Sequence, residues 1–287
     1  MQVNVSRRAR LVHDGRDAVT RRWGTQEILG AIMTIDDETL PDDFLDVRTD
    51  EYRLLRYPDH LLSPTLPAAQ VVWSNTSRPL GAVFDEVAFR VKRWGLDELH
   101  WWTSSTTRPL DTEEYLRNRG GVPADTYQIL AYELSGGAIE ASLVSEVDVE
   151  LVCDQRTLRD ALDVEARGWG RSSPEGRAVG VLLEETLRNL ETSSEFRFLA
   201  NVEGQPASTG ILKMAGEVAR LYGAVTLPEF RSRGCYRAVL RSRLREAREL
   251  GATIAVTRGR PHASGRMLTT AGFTVHGEER SYRLSLR

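Results

Sequence analysis

The sequence GAVTLPEFRSRGCYRAVLRSRLREARELG, from Gly223 to Gly251, contains the pattern on which our prediction of the fold rests. The apolar run at residues 224–227 is typical of a β-strand, and Pro228 ends it because proline has no N–H to give a sheet. Apolar residues then recur at the spacing of one helix face: Tyr236, Val239, Leu240, Leu244, Ala247 and Leu250. Gly251 is a typical helix terminator. The stretch therefore predicts a strand, a loop and a helix.

The loop of this unit predicts an anion site. A helix start presents unpaired backbone N–H groups and the positive end of the helix dipole, and Arg231, Arg233 and Gly234 lie just before it. A phosphate or pyrophosphate is the natural ligand. The alternative interpretation is an ordinary strand–helix unit with a solvated basic face, which alone would explain the arginines at positions 237, 241, 243, 245 and 248.

This stretch resembles the coenzyme-A loop of the GNAT superfamily of acyl-CoA N-acyltransferases, whose pattern is Arg or Gln, two residues, Gly, one residue, then Gly or Ala. Arg231, Gly234 and Tyr236 occupy those places. Tyr236 departs from the pattern, and its bulk leaves less room beside a pyrophosphate. A second strand at Thr253–Thr257 and the segment HASGRMLTTAGF, from His262 to Phe273, also resemble the family, so that the resemblance covers roughly residues 147–286.

The resemblance implies acetyl-CoA as co-substrate. It implies that a backbone N–H of the strand meets the acyl oxygen, that the loop and helix start hold the pyrophosphate, and that no metal is needed. The predicted coenzyme-A contacts are Val225, Thr226, Leu227, Arg231, Ser232, Arg233, Gly234, Cys235, Tyr236, Arg237 and Ser264. The acceptor is expected at the first helical hairpin of this half, where Glu165 and Trp169 are candidate contacts; Trp169 is equally consistent with a packing residue.

The catalytic side chains are less clearly marked. Family members often carry a tyrosine four residues before the Gly-Phe of the last helix, and Leu268 stands there. We therefore predict Tyr222 and His262 as the catalytic candidates, although a core tyrosine and a surface histidine explain them as well. Tyr236 or a chain of waters are further alternatives. Cys235 lies at a helix start, which acidifies a thiol, but an acyl-enzyme would need a base beside it.

Composition narrows the class of protein. A chain of 287 residues, 41% hydrophobic and 28% charged, has the composition of a soluble globular protein of one or two domains. Its net charge of −3 argues against general nucleic-acid affinity. Cys153 and Cys235 suggest neither a disulfide framework nor a metal cluster. With no signal-like segment and no run of about 20 apolar residues, we expect a cytoplasmic protein without a membrane partner.

The upstream part of the chain repeats the same order of elements. Strands are predicted at Ala69–Ser74, Asp97–Thr103 and Thr126–Leu134, with helices at Leu80–Trp94 and after Thr112. Three landmarks recur in the second half: Gly95 corresponds to Gly251, Gly120 to Gly272 and Tyr132 to Tyr282. This order indicates an internal duplication. The flexible junction Ser-Gly-Gly-Ala places the domain boundary at about residues 135–145.

The fold class is therefore α/β (α+β), with two tandem GNAT-like domains at residues 1–140 and 145–287, each a mixed, mostly antiparallel sheet flanked by helices. The second half is predicted to have strands at Val147–Val152, Glu195–Glu203, Gln205–Met214 and Val218–Leu227, and helices at Leu158–Ala166 and Ala178–Leu190. The first half is predicted not to bind coenzyme A, because its loop has only Arg78 and contains Pro79. Its four tryptophans (Trp73, Trp94, Trp101 and Trp102) are interpreted as core or as an inter-domain face, and the acid-rich residues 36–46 as a solvated loop.

These observations favour an N-acetyltransferase that moves an acetyl group from acetyl-CoA directly to a primary amine of a small molecule or peptide, as a monomer or homodimer. Leu268 and the degenerate first half favour an alternative, a catalytically silent acyl-CoA-binding or regulatory protein. A nucleic-acid-binding protein that uses the arginine-rich helix is a second alternative. Substitutions in the loop distinguish these two alternatives. A silent acyl-CoA-binding protein would lose affinity for coenzyme A, whereas a nucleic-acid-binding protein would keep its affinity for nucleic acid.

Overall fold

The computed structural model describes residues 22–37, 44–57, 69–135 and 147–287. Within these ranges the helices are α1 Thr25–Asp37, α2 Leu80–Arg93, α3 Thr112–Asn118, α4 Gln155–Trp169, α5 Arg177–Glu191, α6 Cys235–Glu249 and α7 Arg266–Thr270. The strands are β1 Leu45–Arg48, β2 Tyr52–Arg56, β3 Ala69–Ser74, β4 Glu98–Ser104, β5 Val122–Glu133, β6 Val147–Leu151, β7 Glu195–Val202, β8 Gln205–Ala215, β9 Val218–Thr226, β10 Ile254–Gly259 and β11 Thr274–Ser285. A 3₁₀ turn, Pro228–Phe230, follows β9, and a π-helical turn, Pro261–Gly265, precedes α7.

All eleven strands form one sheet, in the order β1-β2-β3-β4-β11-β5-β10-β9-β8-β7-β6. Neighbouring strands are antiparallel except for two parallel pairs, β3 with β4 and β9 with β10. Each parallel pair is joined through a helix, α2 in the first half and α6 in the second, because parallel neighbours need a crossover connection. The prediction of a mixed, mostly antiparallel sheet flanked by helices is confirmed.

The last strand of each half lies beside a strand of the other half. β11 is inserted between β4 and β5, and β5 is inserted between β11 and β10. The register of the central pair is symmetric about Tyr127 and Glu279, which lie opposite each other, seven residues after Gly120 and Gly272 respectively. The two halves are thus related by an approximate two-fold axis, and each completes the sheet of the other.

The helix ends support the internal duplication. Gly95 and Gly251 both have positive φ, and their N–H groups donate to Lys92 O and Arg248 O at 2.9 and 3.0 Å. The residues that follow them close the next turn: Leu96 donates to Val91 O and Ala252 to Ala247 O. Gly120 and Gly272 end α3 and α7 with the same pair of bonds from themselves and from the next residue. Glycine suits these left-handed positions because it has no Cβ.

The predicted equivalence of Tyr132 and Tyr282 is two residues out of register. Tyr282 lies opposite Trp101 in β4, and the residue opposite Thr257 at the matching point of β10 is Leu130. Leu130 and Tyr282 both lie ten residues after their helix-ending glycines. An aromatic landmark two positions away stays on the same face of a strand, so the sequence pattern alone does not expose the shift.

The helices of the second half cover both faces of its sheet. A Cβ at Gly168 of α4 would meet Val225, and a Cβ at Gly210 would meet Val239 and Arg243 of α6. Val225 lies opposite Thr209, the residue before Gly210, and successive residues point to opposite faces. Helix α4 therefore covers one face and α6 the other. The first half has a separate hydrophobic core, which includes Tyr52, Val83 and Trp101.

The predicted strands and helices are confirmed within about two residues, with three exceptions: β5 begins at Val122 instead of Thr126, α4 runs from Gln155 to Trp169 instead of Leu158 to Ala166, and the last helix begins as a π-helical turn. Helix α1 and strands β1 and β2 were not predicted. Residues 136–146, which include most of the predicted junction, lie outside the described residues, and the division into 1–140 and 145–287 stays a prediction. Of the acid-rich run, Asp46 pairs with Arg48 and Arg53 at 2.8 and 2.9 Å, while residues 38–43 lie outside the described ranges.

Candidate active site

The candidate site begins where the parallel strands β9 and β10 separate. They pair from Val218 with Ile254 to Leu221 with Thr257, and no further pair joins them among the described residues. Beyond that point β10 pairs only with β5, while residues 222–226 of β9 continue along β8. We call the space between residues 222–226 and 258–259 the strand gap. One edge of β9 therefore faces the strand gap without a neighbouring strand.

A β-bulge in β9 produces this separation. Tyr222 lies opposite Ile211, but the next recorded partner is Val225 opposite Thr209, so β9 carries an extra residue here. Gly223 takes a φ of 60°, a left-handed value that glycine adopts without strain. A bulge bends its strand and increases the local twist. The extra residue of β9 at this bulge therefore bends β9 away from β10.

The bulge decides which backbone groups face the strand gap. Leu227 N–H donates to Ala207 O at 3.0 Å, and Val225 O accepts from Ser208 Oγ at 2.8 Å, so both residues are turned toward β8. Because backbone groups alternate along a strand, the N–H of Thr226 is turned toward the strand gap, as is that of Ala224. Of the three predicted contacts on the strand, Leu227 already donates within the sheet, and Thr226 has its donor toward the gap.

The loop after β9 leads into a helix without a side-chain cap. Ser232 and Gly234 have φ values of 63° and 83°, and α6 begins at Cys235. The first helical N–H to find an acceptor is that of Ala238, which donates to Gly234 O at 3.0 Å. The N–H groups of the turn before it are the donors that a helix start leaves without an intrahelical partner. This geometry is suited to an anion.

The charged side chains of the loop leave its outer surface basic. Arg231 and Arg237 are exposed, and neither has an acidic partner within the part of the chain that the structure describes. Arg233 binds Glu203 at 2.8 Å and lies 5.9 Å from the centre of the Phe230 ring. Two arginines are thus available to an anion at the helix start.

On the interior side of the same loop, the thiol of Cys235 is inaccessible to a substrate. Cys235 is 1% exposed, and its Sγ donates to Phe230 O at 3.6 Å. Burial raises the pKa of this thiol, so the acidification expected at a helix start is outweighed. Tyr236 is packed against the core, where burial raises its pKa and Arg243 opposes that shift.

Tyr222 is half-buried on the α4 face and donates to a carboxylate. Its hydroxyl lies 2.6 Å from Glu195 Oε2 of β7, two strands away. Burial and the neighbouring Glu195 raise the pKa of Tyr222 far above its ordinary value, so the phenol keeps its proton. Burial also raises the pKa of Glu195, while Tyr222 and Lys213 oppose that shift. The sequence analysis did not single out Glu195, because nothing local marks one acid at a strand start.

His262 and Ser264 lie in the turn after β10. His262 is exposed, and Ser264 Oγ accepts from Arg260 N–H at 2.9 Å, which stabilises the turn. Leu268, which stands where the family often has tyrosine, is 1% exposed and packs beside Gly259. The structure thus places one catalytic candidate at the surface and the other inside, and it records no contact between them.

The end of α4 lies over β9. Gly168 packs directly on Val225, and Arg167 binds Glu229 in the turn after β9 at 2.5 Å. Glu165 forms a half-buried ion pair with Arg197 of β7. Trp169 is 37% exposed, with the Arg171 guanidinium 4.3 Å from its ring centre. The predicted acceptor contacts Glu165 and Trp169 therefore lie on one helix end, but Glu165 is already paired.

A cavity of about 310 Å³ lies farther along α4, and none of its lining residues belongs to β9 or β10. It is bounded by Arg159, Leu162 and Asp163 of α4 and by residues 173–176 and Val179.

Of the helices in the described ranges, none combines the length and hydropathy needed to cross a membrane. Within those ranges, no group of three or more His, Cys, Asp or Glu side chains is arranged to hold a metal ion.

Solved structures share this architecture. A GCN5-related N-acetyltransferase from Sphaerobacter thermophilus aligns over 90% of this chain and 86% of its own, with a TM-score of 0.64 and 12% identity. A tandem GNAT protein from the clavulanic acid biosynthesis pathway aligns over 89% of this chain and 87% of its own, with a TM-score of 0.59 and 13% identity. This chain has a tandem GNAT fold. The predicted resemblance is confirmed at the level of the fold.

The tandem GNAT fold extends over most of the chain in a further comparison. A GCN5-related N-acetyltransferase from Kribbella flavida covers 90% of this chain and 94% of its own, with a TM-score of 0.62 and 13% identity. Neither a protein-family model nor a curated protein sequence matches the chain. The tandem GNAT fold is therefore recognised from the three-dimensional structure together with the loop motif at Arg231, Gly234 and Tyr236.

Proposed function

We propose that the chain is an acyl-CoA-dependent N-acyltransferase, most simply an acetyltransferase, whose active half is residues 145–287. The observation that carries the proposal is the strand gap, which opens next to an uncapped helix start. A strand edge that lacks a neighbour offers N–H and C=O groups to an extended ligand, and the helix start offers donors to its phosphates. Pantetheine and pyrophosphate are joined in that order in coenzyme A.

The residues of the loop would hold the pyrophosphate. The N–H groups at the start of α6 and the side chains of Arg231 and Arg237 supply charge-assisted hydrogen bonds, each worth roughly 1.5–3 kcal/mol. The N–H of Thr226 or Ala224 would meet the oxygen of the reacting carbonyl, which gains negative charge as the amine attacks. Tyr222, Glu195 and the end of α4 lie on the face from which we expect the acceptor amine.

Direct attack by the amine is the simplest route for this site. The Cys235 thiol is buried, bonded to Phe230 O and held protonated by a raised pKa, which argues against an acyl-enzyme on that residue. The amine nitrogen forms the new C–N bond, the C–S bond breaks, and the amine proton must reach a base while the thiolate gains a proton. Tyr222 and His262 stay our candidates for assisting these transfers, and we expect no metal to take part.

Two measurements test the proposal. Isothermal titration with coenzyme A tests the binding site, and release of free thiol from acetyl-CoA across a panel of primary amines, from small molecules to peptides, tests turnover. We expect binding and turnover with at least one class of amine in a cytoplasmic, monomeric or homodimeric protein. Binding without thiol release for any acceptor would instead favour a silent acyl-CoA-binding protein. No binding of coenzyme A would overturn the proposal.

A further inference from the structure

Helix α6 carries a buried arginine beneath the bulge of β9. Arg243 is 1% exposed, and its Nη1 donates to Ile211 O at 3.3 Å and to Tyr222 O at 3.5 Å. These two residues lie opposite each other, at the last pair before the register of β8 and β9 shifts. The guanidinium therefore binds both strands at the point where the bulge begins.

Gly210 provides the space for this guanidinium. A Cβ at Gly210 would lie 3.0 Å from Arg243 Cζ and 3.0 Å from Val239 Cγ1. The absence of a side chain there lets the arginine approach the backbone of β8 directly. The guanidinium of Arg243 thus occupies the space that Gly210 leaves open, next to the bulge of β9.

The charge of Arg243 is not balanced by an acid. Burial lowers its pKa, the only group that opposes this shift is Tyr236, and its Nε has no hydrogen-bond partner among the described residues. Burying a guanidinium in this way costs free energy, because a buried charge without a paired acid is strongly destabilising. The donors of Arg243 instead serve carbonyl groups at a bulge, where the strand ladder is interrupted and buried carbonyls need partners.

We propose that Arg243 is a positioning residue that fixes the bulge of β9 and thereby aims the N–H groups of Ala224 and Thr226 into the strand gap. This inference rests on the proposed function, since it assigns those N–H groups to the reacting carbonyl. A displacement of such donors by about 1 Å lowers an enzymatic rate by about 10²-fold. The pyrophosphate contacts, six or more residues earlier at residues 231–237, would be left in place.

Four variants test the inference in the full-length protein. Arg243→Met removes the charge and donors but keeps the length, Arg243→Lys keeps the charge, and Gly210→Ala pushes the guanidinium away without removing it. Arg245→Met is the matched control, because Arg245 is exposed on the same helix. Each variant is assayed for kcat, for KM of acetyl-CoA, for the Kd of coenzyme A and for the amide NMR chemical shifts of Ala224 and Thr226.

We expect kcat to fall about 10²-fold in Arg243→Met and about 10-fold in Gly210→Ala, with the Kd of coenzyme A within about threefold of the parent. Arg243→Lys should recover part of the rate, and Arg245→Met should change neither quantity. The amide chemical shifts of Ala224 and Thr226 should move in Arg243→Met and Gly210→Ala but not in Arg245→Met. If Arg243→Met does not fold, Gly210→Ala and Arg243→Lys carry the test.

Two outcomes would overturn the inference: an unchanged kcat in folded Arg243→Met or Gly210→Ala, or equal losses of kcat and coenzyme-A affinity that lysine does not repair. The amide chemical shifts separate this inference from the proposed function, because they need no turnover. If the parent protein releases no thiol from acetyl-CoA but the shifts of Ala224 and Thr226 respond to Arg243, the proposed function fails and the positioning role stands. Shifts that do not respond remove the positioning role.

Discussion

The two halves of the molecule separate their parallel strands at the same point and then differ. The last pair is Val71 with Trp101 in the first half and Leu221 with Thr257 in the second, and the partners on β4 and β10 each lie six residues after the helix-ending glycine. In the first half the chain then closes the opening: Arg108 N–H donates to Ser74 O, and Thr76 N–H donates to Arg108 O, both at 3.2 Å. In the second half the strand gap stays open.

The lengths of two connections account for this difference. Between the last strand pair and the helix there are eight residues in the first half, 72–79, and thirteen in the second, 222–234. The connection that follows β4, by contrast, is longer than the one that follows β10, and it supplies the residues that close the opening. The comparison teaches that strand separation belongs to the fold, whereas an accessible site depends on the loops.

Electrostatics add to the contrast. Arg78, the arginine of the first-half loop, binds Glu51 at 2.5 Å and Glu86 at 3.1 Å. Glu51 and Glu86 would repel a phosphate, whereas Arg231 in the second-half loop is exposed and has no such partner within the described ranges. In the first half, the charge of Arg78 is thus neutralised by two glutamates of the same half.

Among the predicted effects on the difference between the two halves, the largest is the loss of coenzyme-A affinity in Gly234→Val. A β-branched residue is strained at the φ of 83° that Gly234 adopts, and its side chain would stand where the phosphate must approach. Losing one to two charge-assisted bonds, each worth roughly 1.5–3 kcal/mol, predicts binding of coenzyme A that is weaker by at least about tenfold. Isothermal titration measures this, with Gly216→Val, at a left-handed position in the turn between β8 and β9, as the control for strain. Equal binding by both variants would show that the loop is not the site.

The two catalytic candidates should have smaller effects. Tyr222→Phe and His262→Ala should each lower kcat by at most about 10²-fold, because donors at the strand gap and positioning supply much of the rate. The position of Tyr222 sharpens the comparison, since register places Val72 at the corresponding point of the first half. Steady-state rates at saturating acetyl-CoA check this, with Tyr115→Phe, on the first-half helix α3, as a control. Complete loss in a folded variant that still binds coenzyme A would reveal an indispensable group.

The raised pKa of Glu195 predicts a pH-dependent stability. Because burial raises the pKa of Glu195 in the folded protein, the unfolded chain ionises first as pH increases, from about pH 4. The folded state then loses relative stability until the pH passes the folded pKa. Glu195→Gln lacks this loss, so its free energy of unfolding should rise relative to the parent between pH 4 and 7. Urea unfolding at several pH values measures the difference, and exposed Glu191→Gln should show none.

The smallest effect is expected in the first half. Because Arg78 is occupied by Glu51 and Glu86, Arg78→Ala should leave the affinity for coenzyme A unchanged, while Arg231→Ala should weaken it. Titration should saturate at one coenzyme A per chain. A stoichiometry of two would contradict both the closed opening of the first half and the division of labour between the halves.

Local patterns in the sequence were sufficient for much of the fold. The helix from Cys235 and the strands before it follow from apolar spacing, and the anion loop from Arg231 and Gly234. Arg243 was also within reach: it shares the helix face of Tyr236, Leu240 and Ala247, where an arginine is unexpected. We interpreted it as part of a solvated basic face because five arginines alternate along that helix.

Other features depend on contacts that sequence spacing does not encode. Glu195 meets Tyr222 across 27 residues, and Glu165 meets Arg197 across 32, so neither pair has a local signal. The insertion of β11 between β4 and β5 is equally invisible, because an alternating strand reads the same whichever neighbours it has. Closure of the first-half opening by Arg108 likewise arises from backbone bonds, which place no demand on side-chain type.

The position of β11 has a consequence for synthesis of the chain. Residues 274–285 are synthesised after β4 and β5, yet they form the strand between them. The nascent first half must therefore wait with two unpaired strand edges, which are sites where other chains can add. A chain interrupted anywhere before residue 274 would leave those two edges of the first half exposed. The sheet of the first half thus stays incomplete until a strand from the second half has been synthesised and inserted.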